Sequence, residues 1–286
     1  MKEPLGTVAN RIAGALVGLG VGAAAAPSGT GGGGTRWGSG ESRLAVALAQ
    51  VYVGGYSLSE AAQSFLATVD GGYELDPISR SALARYRCSG DARRCGMAAV
   101  RPDSVESAPL GRCLAIGLAR VDRVRRAREA AEVTAITHPQ PRSVDSCVAY
   151  CELVAALVAG AAPAGALAGV AGHGQCAEVG AVLEWAPRLP ASWLCPGNAL
   201  AAGVWALGQP GAFGEILEQL AGLGAGGPVL VAAGGLLGAA RGLGAIPEPM
   251  VRSLPDYRAL LGLAPQLLLG RRRQRVRRCA PARASR

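Results

Sequence analysis

The apolar positions of this chain are filled mainly by small side chains. Half of the 286 residues are hydrophobic and 42 are glycine, whereas aromatic residues make up only 4%. Such a core must be built from Ala, Leu, Val and Gly, and small side chains let helices approach one another closely. No β-branched run of strand length with alternating polarity is present. The composition therefore predicts an all-α fold, a single compact body of many helices.

Length and charge predict one domain followed by a tail. A chain of 286 residues can bury a substantial core. The formal net charge is +9, but residues 271–286 hold eight arginines and no acid, so the rest of the chain carries only about +1. We therefore expect a helical domain over residues 1–270 and an arginine-rich, disordered tail over residues 271–286.

The tail raises the question of an anionic partner. Clustered arginines can neutralise the phosphates of a nucleic acid. However, no aromatic residue is interleaved among them for base stacking, and no known nucleic-acid motif occurs. We expect a solvated tail rather than a nucleic-acid site. An acidic partner is left open, and so is the oligomeric state.

The eight cysteines form no recognisable metal or disulfide pattern. None belongs to a C-x-x-C pair, and the two histidines do not fall at zinc-finger spacing. This favours free, mostly buried thiols in a reducing compartment and hence a cytoplasmic protein. Cys147 and Cys151 are one helical turn apart, which suits a redox pair or, more simply, core packing.

Two apolar segments imitate membrane signals. Residues 12–27 follow Lys2 and Arg11, as in a signal peptide, and residues 153–172 are uncharged over nearly the length that spans a bilayer. Ala and Gly contribute little to membrane insertion, and Pro163 interrupts the second segment. We expect two buried helices and no membrane association.

Helical periodicity recurs along the whole chain. Ser59 is predicted to cap a helix that buries Phe65, and Pro141 is predicted to break the chain before a helix that starts at Ser143. Residues 27–40 and 88–104 are predicted loops, and residues 160–174 are ambiguous. The predicted helices cover residues 44–53, 59–68, 77–86, 108–120, 127–137, 143–159, 175–189, 196–207, 213–223 and 229–241.

The last of these predicted helices contains several glycines. Gly234, Gly235 and Gly238 would each cost up to about 1 kcal/mol relative to alanine in a helix. They are understandable if a neighbouring helix crosses closely or if the helix passes near a ligand. We therefore expect residues 229–241 to be buried on every side.

Four stretches form a recognisable set. They are residues 11–22 and 40–49, Thr137-His138-Pro139, and residues 222–247. Together they resemble the ADP-ribosylglycohydrolase family, which includes the J1 crystallins. The resemblance implies one all-α domain over most of the chain. It also implies that His138 lies in a structural turn between helices, while His173 is expected in an exposed loop.

The resemblance further implies a pair of magnesium ions held by a Thr-Asp-Asp motif and an Asp-x-Asp-Thr motif. Here Ser39-Gly40-Glu41-Ser42 falls at the first motif, so Glu41 is its remaining acid and Ser39 and Ser42 keep hydroxyl groups. Ala225-Gly226-Gly227-Pro228 falls at the second and offers no side-chain oxygen. Because magnesium needs anionic oxygen ligands, we expect no metal site and no cofactor.

Two functions follow from this pattern. The first is a pseudoenzyme or ligand-binding scaffold, with Ser39, Ser42, Gly226 and Gly227 lining a central cleft that takes a small molecule. An active ADP-ribose hydrolase is less expected, and whether the chain is an enzyme at all stays open.

The alternative is a repurposed, metal-independent enzyme that cyclises or isomerises a hydrophobic substrate. Glu41 and Glu106 are its candidate catalytic acids, because an apolar cavity raises the pKa of a carboxyl group. The simpler interpretation of Glu41 is a solvated acid that the helix dipole favours at a helix N-terminus.

Overall fold

The computed structural model describes residues 7–26, 40–97, 108–171, 176–195 and 197–279. Within these ranges the chain forms fourteen α-helices and short 3-10 turns, with no β-strand. The predicted all-α fold is therefore confirmed. The helices are α1 (Thr7–Ala24), α2 (Gly40–Gly54), α3 (Leu58–Asp70), α4 (Pro77–Ser89), α5 (Ala108–Ala119), α6 (Arg123–Ala135), α7 (Pro141–Ala159), α8 (Pro163–Val170), α9 (Ala177–Trp185), α10 (Ala199–Gly208), α11 (Phe213–Gly222), α12 (Gly227–Arg241), α13 (Glu248–Ser253) and α14 (Tyr257–Cys279).

Helix starts differ from the predicted ones by a few residues, and the residues at three of these starts explain the difference. The cap of α3 is Ser57 rather than Ser59, since the Ser57 side chain accepts a hydrogen bond from the backbone of the third helical residue. α6 begins four residues early because Asp122 caps it. α7 begins at Pro141 rather than Ser143, since the first turn of a helix tolerates proline.

α1 and α12 cross at a seam that lacks side chains. Gly14, Gly18 and Gly22 recur every four residues along α1, and Gly234 and Gly238 face them from α12. A Cβ atom on Gly18 would lie 2.3 Å from the carbonyl oxygen of Gly234, and one on Gly238 would lie 2.0 Å from that of Gly14. The expected close crossing is therefore confirmed, and backbone packs directly on backbone.

α12 is buried on almost every side, as predicted, because helices surround it. It packs on α1, α10, α5 and α7, and only Pro228 and the last two residues are partly exposed. Gly235 leaves room for Tyr150 of α7, whose hydroxyl donates to the carbonyl oxygen of Ala232 at 2.8 Å. All twelve residues of α5 are also buried. These two helices form the interior of the molecule.

The two membrane-like segments are parts of this body. α1 is the one helix in the described part of the chain with the length and hydropathy to cross a membrane, and 72% of it is buried inside the molecule. Residues 153–172 do not form one helix, since α7 ends at Gly160, which adopts a left-handed conformation with φ 111°. α1 packs as a core helix and the last turns of α7 are buried, but α8 buries only Ala166 and Val170, so the expectation of a second buried helix over residues 153–172 is wrong.

The C-terminal helix passes the predicted boundary at residue 270. α14 continues to Cys279, so residues 271–279 are helical rather than part of a disordered tail. The side chain of Arg271 is buried and donates to the carbonyl oxygens of Gly117 and Leu118 at 3.0 and 2.9 Å. These bonds hold the helix against the end of α5. Residues 280–286 lie outside the described residues.

The cysteines whose side chains the structure describes are free thiols, and four of these seven are buried. Cys113 of α5 meets Cys147 and Cys151 of α7 in the core, where the Cys151 thiol donates to the carbonyl oxygen of Cys113 at 3.2 Å. Cys147 and Cys151 therefore take part in helix packing, as the simpler interpretation predicted.

Candidate functional site

Four of the six predicted site residues lie at the starts of two helices. Glu41 and Ser42 are in the first turn of α2, and both are buried. Gly226 is the N-terminal cap of α12 and Gly227 is its first residue. Ser39 and Glu106, the other two predicted residues, lie outside the described residues.

Glu41 is bound by a buried guanidinium group. The Nε and Nη2 atoms of Arg112, in the second turn of α5, donate to the two carboxylate oxygens of Glu41 at 3.0 and 2.7 Å. The side chain of Arg112 is 0% exposed and that of Glu41 is 4% exposed. A planar guanidinium matches a carboxylate in this two-bond geometry. The pair therefore leaves no carboxylate oxygen of Glu41 without a charged partner.

Two hydroxyl groups complete the shell of Arg112. Its Nη1 atom donates to Oγ1 of Thr137 at 3.0 Å, and its Nη2 atom also donates to Oγ of Ser79 at 3.1 Å. The guanidinium carbon lies 5.4 Å from the ring centre of Phe65, a cation–π distance. Helices α2, α3, α4 and α5 thus meet at this one side chain.

His138 and Asp76 extend the network. Nδ1 of His138 is 2.6 Å from Oγ1 of Thr137, and its Nε2 atom is 3.7 Å from Oδ1 of Asp76. Oγ1 of Thr137 therefore lies between the guanidinium of Arg112 and Nδ1 of His138, and the Nε2 side of the His138 ring faces Asp76. His138 lies between α6 and α7, in the turn that the resemblance implied. His173 lies outside the described residues.

The local charges shift the ionisation of the cluster. Burial raises the pKa of Glu41, and the guanidinium of Arg112 opposes that shift. Burial lowers the pKa of Arg112, but the Glu41 carboxylate outweighs it and the pKa is raised. For Asp76, burial raises the pKa, whereas His138 and the hydrogen bonds from Ser79 outweigh it, so that the pKa is lowered. The cluster therefore holds a guanidinium between carboxylates.

The simpler interpretation of Glu41 as a solvated acid is wrong. Glu41 does stand at a helix N-terminus, but Arg112 draws it into the interior and replaces water as its partner. Sequence reasoning missed Arg112 altogether. A signal was present, since Arg112 stands alone in the apolar run Ala108–Ala119, and a buried charge requires a charged or hydrogen-bonding partner.

The glycines at the start of α12 provide backbone groups alone. Gly227 is buried, and the Gly226 cap makes no side-chain hydrogen bond to the helix. Among the described residues, no hydrogen bond joins Gly226 or Gly227 to the cluster around Arg112. The structure brings Glu41 together with Ser79, Thr137, His138 and Asp76 rather than with the two glycines.

Comparison with solved structures defines the class of fold. The chain matches a structure described as an "ADP-ribosylglycohydrolase-related protein complex" with a TM-score of 0.77 and 23% sequence identity, covering 92% of this chain and 98% of the other. Identity at this level shows a shared all-α fold.

The family assignment is sequence-based and covers nearly the whole chain. The profile of the ADP-ribosylglycohydrolase family matches residues 5–277. The chain belongs to this family. None of the curated proteins compared with it gives a significant match.

Proposed function

We propose that this protein is a non-hydrolytic member of its family, a pseudoenzyme or ligand-binding scaffold that does not carry out magnesium-dependent ADP-ribosyl hydrolysis. The observation that carries the proposal is the pairing of Glu41 with Arg112. The one acid at the position of the family's first metal motif has both oxygens bonded to a buried guanidinium. A cation at that carboxylate would have to displace Arg112.

The donor groups near Glu41 do not fit a magnesium pair. Magnesium takes an octahedral set of oxygen ligands and relies on carboxylates for charge. Asp76 is the other carboxylate of the cluster, and its Oδ1 atom accepts from the backbone N–H groups of Ile78 and Ser79 at 2.9 Å each. In the described part of the chain, no three His, Cys, Asp or Glu side chains are grouped so that they could hold an ion.

Arg112 supplies the positive charge that a carboxylate in this position needs. A buried carboxylate is costly unless a cation and hydrogen-bond donors surround it. The guanidinium meets both requirements with four hydrogen bonds to three side chains. The buried charge of Glu41 is therefore compensated by Arg112, without a divalent cation.

The metal-independent enzyme is less well supported. A general acid must reach the proton acceptor on its substrate, and Glu41 is nearly inaccessible to solvent and bonded on both oxygens. Burial does raise its pKa, which is the one observation in favour of acid catalysis. We therefore place the scaffold ahead of the enzyme.

Calorimetric titration with ADP-ribose, with and without magnesium chloride, tests the proposal together with an assay of ADP-ribosyl hydrolysis. The expected result is no hydrolysis and no effect of magnesium on binding. Glu41→Gln is compared with Glu218→Gln, an exposed acid on α11. Magnesium-dependent hydrolysis that Glu41→Gln abolishes and Glu218→Gln preserves would overturn the proposal.

A further inference from the structure

The orientation of α14 is fixed by its contacts with α5. Arg271 bonds the carbonyl oxygens of Gly117 and Leu118, and Gln274 both donates to the carbonyl oxygen of Ala119 at 3.0 Å and accepts from the backbone of Val121 at 3.2 Å. These two side chains define the inner face of the last turns of α14. Arg272 and Arg273, which lie between them, and Arg275 and Val276, which follow, are exposed to solvent.

The outer face combines aliphatic and cationic side chains. Leu269 is 49% exposed and Val276 is 70% exposed, and the two lie two helical turns apart on the same side. Arg272 and Arg273 stand between them and are exposed. This outer face, Leu269–Val276, is a stripe of mixed aliphatic and basic side chains.

A concavity lies beside this stripe. It has a volume of about 190 Å³ and is lined by Tyr52, Val53, Arg120, Gln266, Leu269 and Arg273, among others, with no acidic residue among the described residues that line it. Val53, at the end of α2, is also exposed. The concavity can take one aliphatic side chain next to the arginines.

The arginines of the stripe have no acidic counterpart in the described part of the chain. Arg272, Arg273 and Arg275 form no ion pair there. Arg120, which lines the concavity, is instead paired with Glu129 at 2.6 Å and lies over the ring of Tyr52. The C-terminal segment 280–286 carries two further arginines and no acid, so its charge does not suit this surface.

We propose that the Leu269–Val276 stripe and the adjoining concavity form a docking surface for an acidic, amphipathic helix of a partner protein. Carboxylates of the partner would pair with Arg272 and Arg273, and an aliphatic side chain would enter the concavity beside Val53. The inference is independent of hydrolytic activity, because this surface and the Arg112 cluster share no residue.

The composition of the surface favours a protein over a nucleic acid or a membrane. Single-stranded nucleic acids bind through aromatic platforms, and the Tyr52 ring is already stacked on Tyr56 with centres 4.8 Å apart. Peripheral membrane helices bury a broad apolar face with large side chains, whereas Leu269 and Val276 are isolated by arginines. A pocket that presents apolar side chains beside arginines matches a Leu- and Glu-containing helix.

Fluorescence anisotropy tests the proposal on the full-length protein. The probe is a labelled synthetic helix of about 14 residues, with leucines seven positions apart and glutamates between and around them. A second peptide has glutamine in place of each leucine. Poly-uridine RNA and vesicles containing phosphatidylserine are titrated in parallel.

The expected result is saturable binding of the leucine peptide, weakened at least about tenfold by leucine replacement or by the double variant Arg272→Glu/Arg273→Glu. Leu269→Ser should weaken it in the same direction. Arg80→Glu/Arg85→Glu, at two exposed arginines on α4, changes the net charge by the same amount and is the matched control, which should bind as the wild type does. Circular dichroism confirms that each variant is folded.

Three outcomes would overturn the proposal. They are no binding of the leucine peptide, equal binding of the two peptides, and tighter binding of the RNA or the vesicles than of the leucine peptide. Equal weakening by Arg80→Glu/Arg85→Glu would also overturn it, because the effect would then come from net charge.

Discussion

Arg112 and Glu41 are 71 residues apart in the chain, yet their side chains form a two-bond ion pair that solvent does not reach. The pair joins α5 to α2 inside the molecule. Such a pair adds little net stability compared with an apolar replacement, but removing one partner leaves an uncompensated charge. Loss of one partner should therefore cost more stability than replacement of both.

Arg112→Met should lower the free energy of unfolding by about 3–5 kcal/mol, because the Glu41 carboxylate then remains buried without a counter-ion. Chemical denaturation followed by circular dichroism measures the change. The double variant Glu41→Leu/Arg112→Met should be more stable than Arg112→Met alone. A double variant that is less stable than both single variants would contradict this account.

Gly18→Ala should lower the free energy of unfolding by about 1–3 kcal/mol or more, since the new Cβ would meet the backbone of α12 and force the two helices apart. Gly262→Ala is the control, because Gly262 is exposed on α14 with no atom near its Cβ position. That change should instead raise stability by up to about 1 kcal/mol. Thermal unfolding of both variants measures the two changes, which should have opposite signs. Equal shifts in the unfolding temperature would contradict the close backbone packing of α1 on α12.

The ionised form of Asp76 should stabilise the fold above about pH 4 and lose that contribution as pH falls through its lowered pKa. As pH falls, the Asp76 carboxylate takes up a proton first in the unfolded state, where its pKa is higher, and this favours unfolding. Asp76→Asn keeps an oxygen to cap α4 but has no charge. The stability difference between wild type and Asp76→Asn should therefore be larger at about pH 7 than at about pH 3. Denaturation at both pH values measures it, and a constant difference would show that the charge has no role.

Arg271→Ala should lower the free energy of unfolding by about 2 kcal/mol, because the carbonyl oxygens of Gly117 and Leu118 lose a charged donor in a buried position. Arg272→Ala, one residue later and exposed, should change stability by no more than about 0.5 kcal/mol. Urea denaturation of the two variants provides the comparison. Similar losses would mean that Arg271 contributes only its charge.

Local patterns predicted most of the helices, but not α13 and α14, which follow the last predicted helix at residues 229–241. Apolar periodicity and the scarcity of aromatic side chains indicated an all-α body, and the glycines of α12 indicated a close crossing. The boundaries were less certain because a cap is decided by a single side-chain bond, as at Ser57. The resemblance in residues 11–22, 40–49 and 222–247 indicated the family that the profile match shows.

The sequence by itself thus determined the fold class, the small-residue core and the family, because helical periodicity and packing volume are encoded over neighbouring residues. The tertiary structure decided what surrounds Glu41 and where Arg271 lies. The partner of Glu41 is on another helix, and Arg271 bonds to α5, 154 residues earlier in the chain than itself. Burial and ion pairing depend on which residues meet in three dimensions. Glu41, which looked solvated in sequence, is therefore a buried counter-ion, and Arg271, which was assigned to a tail, is part of the core.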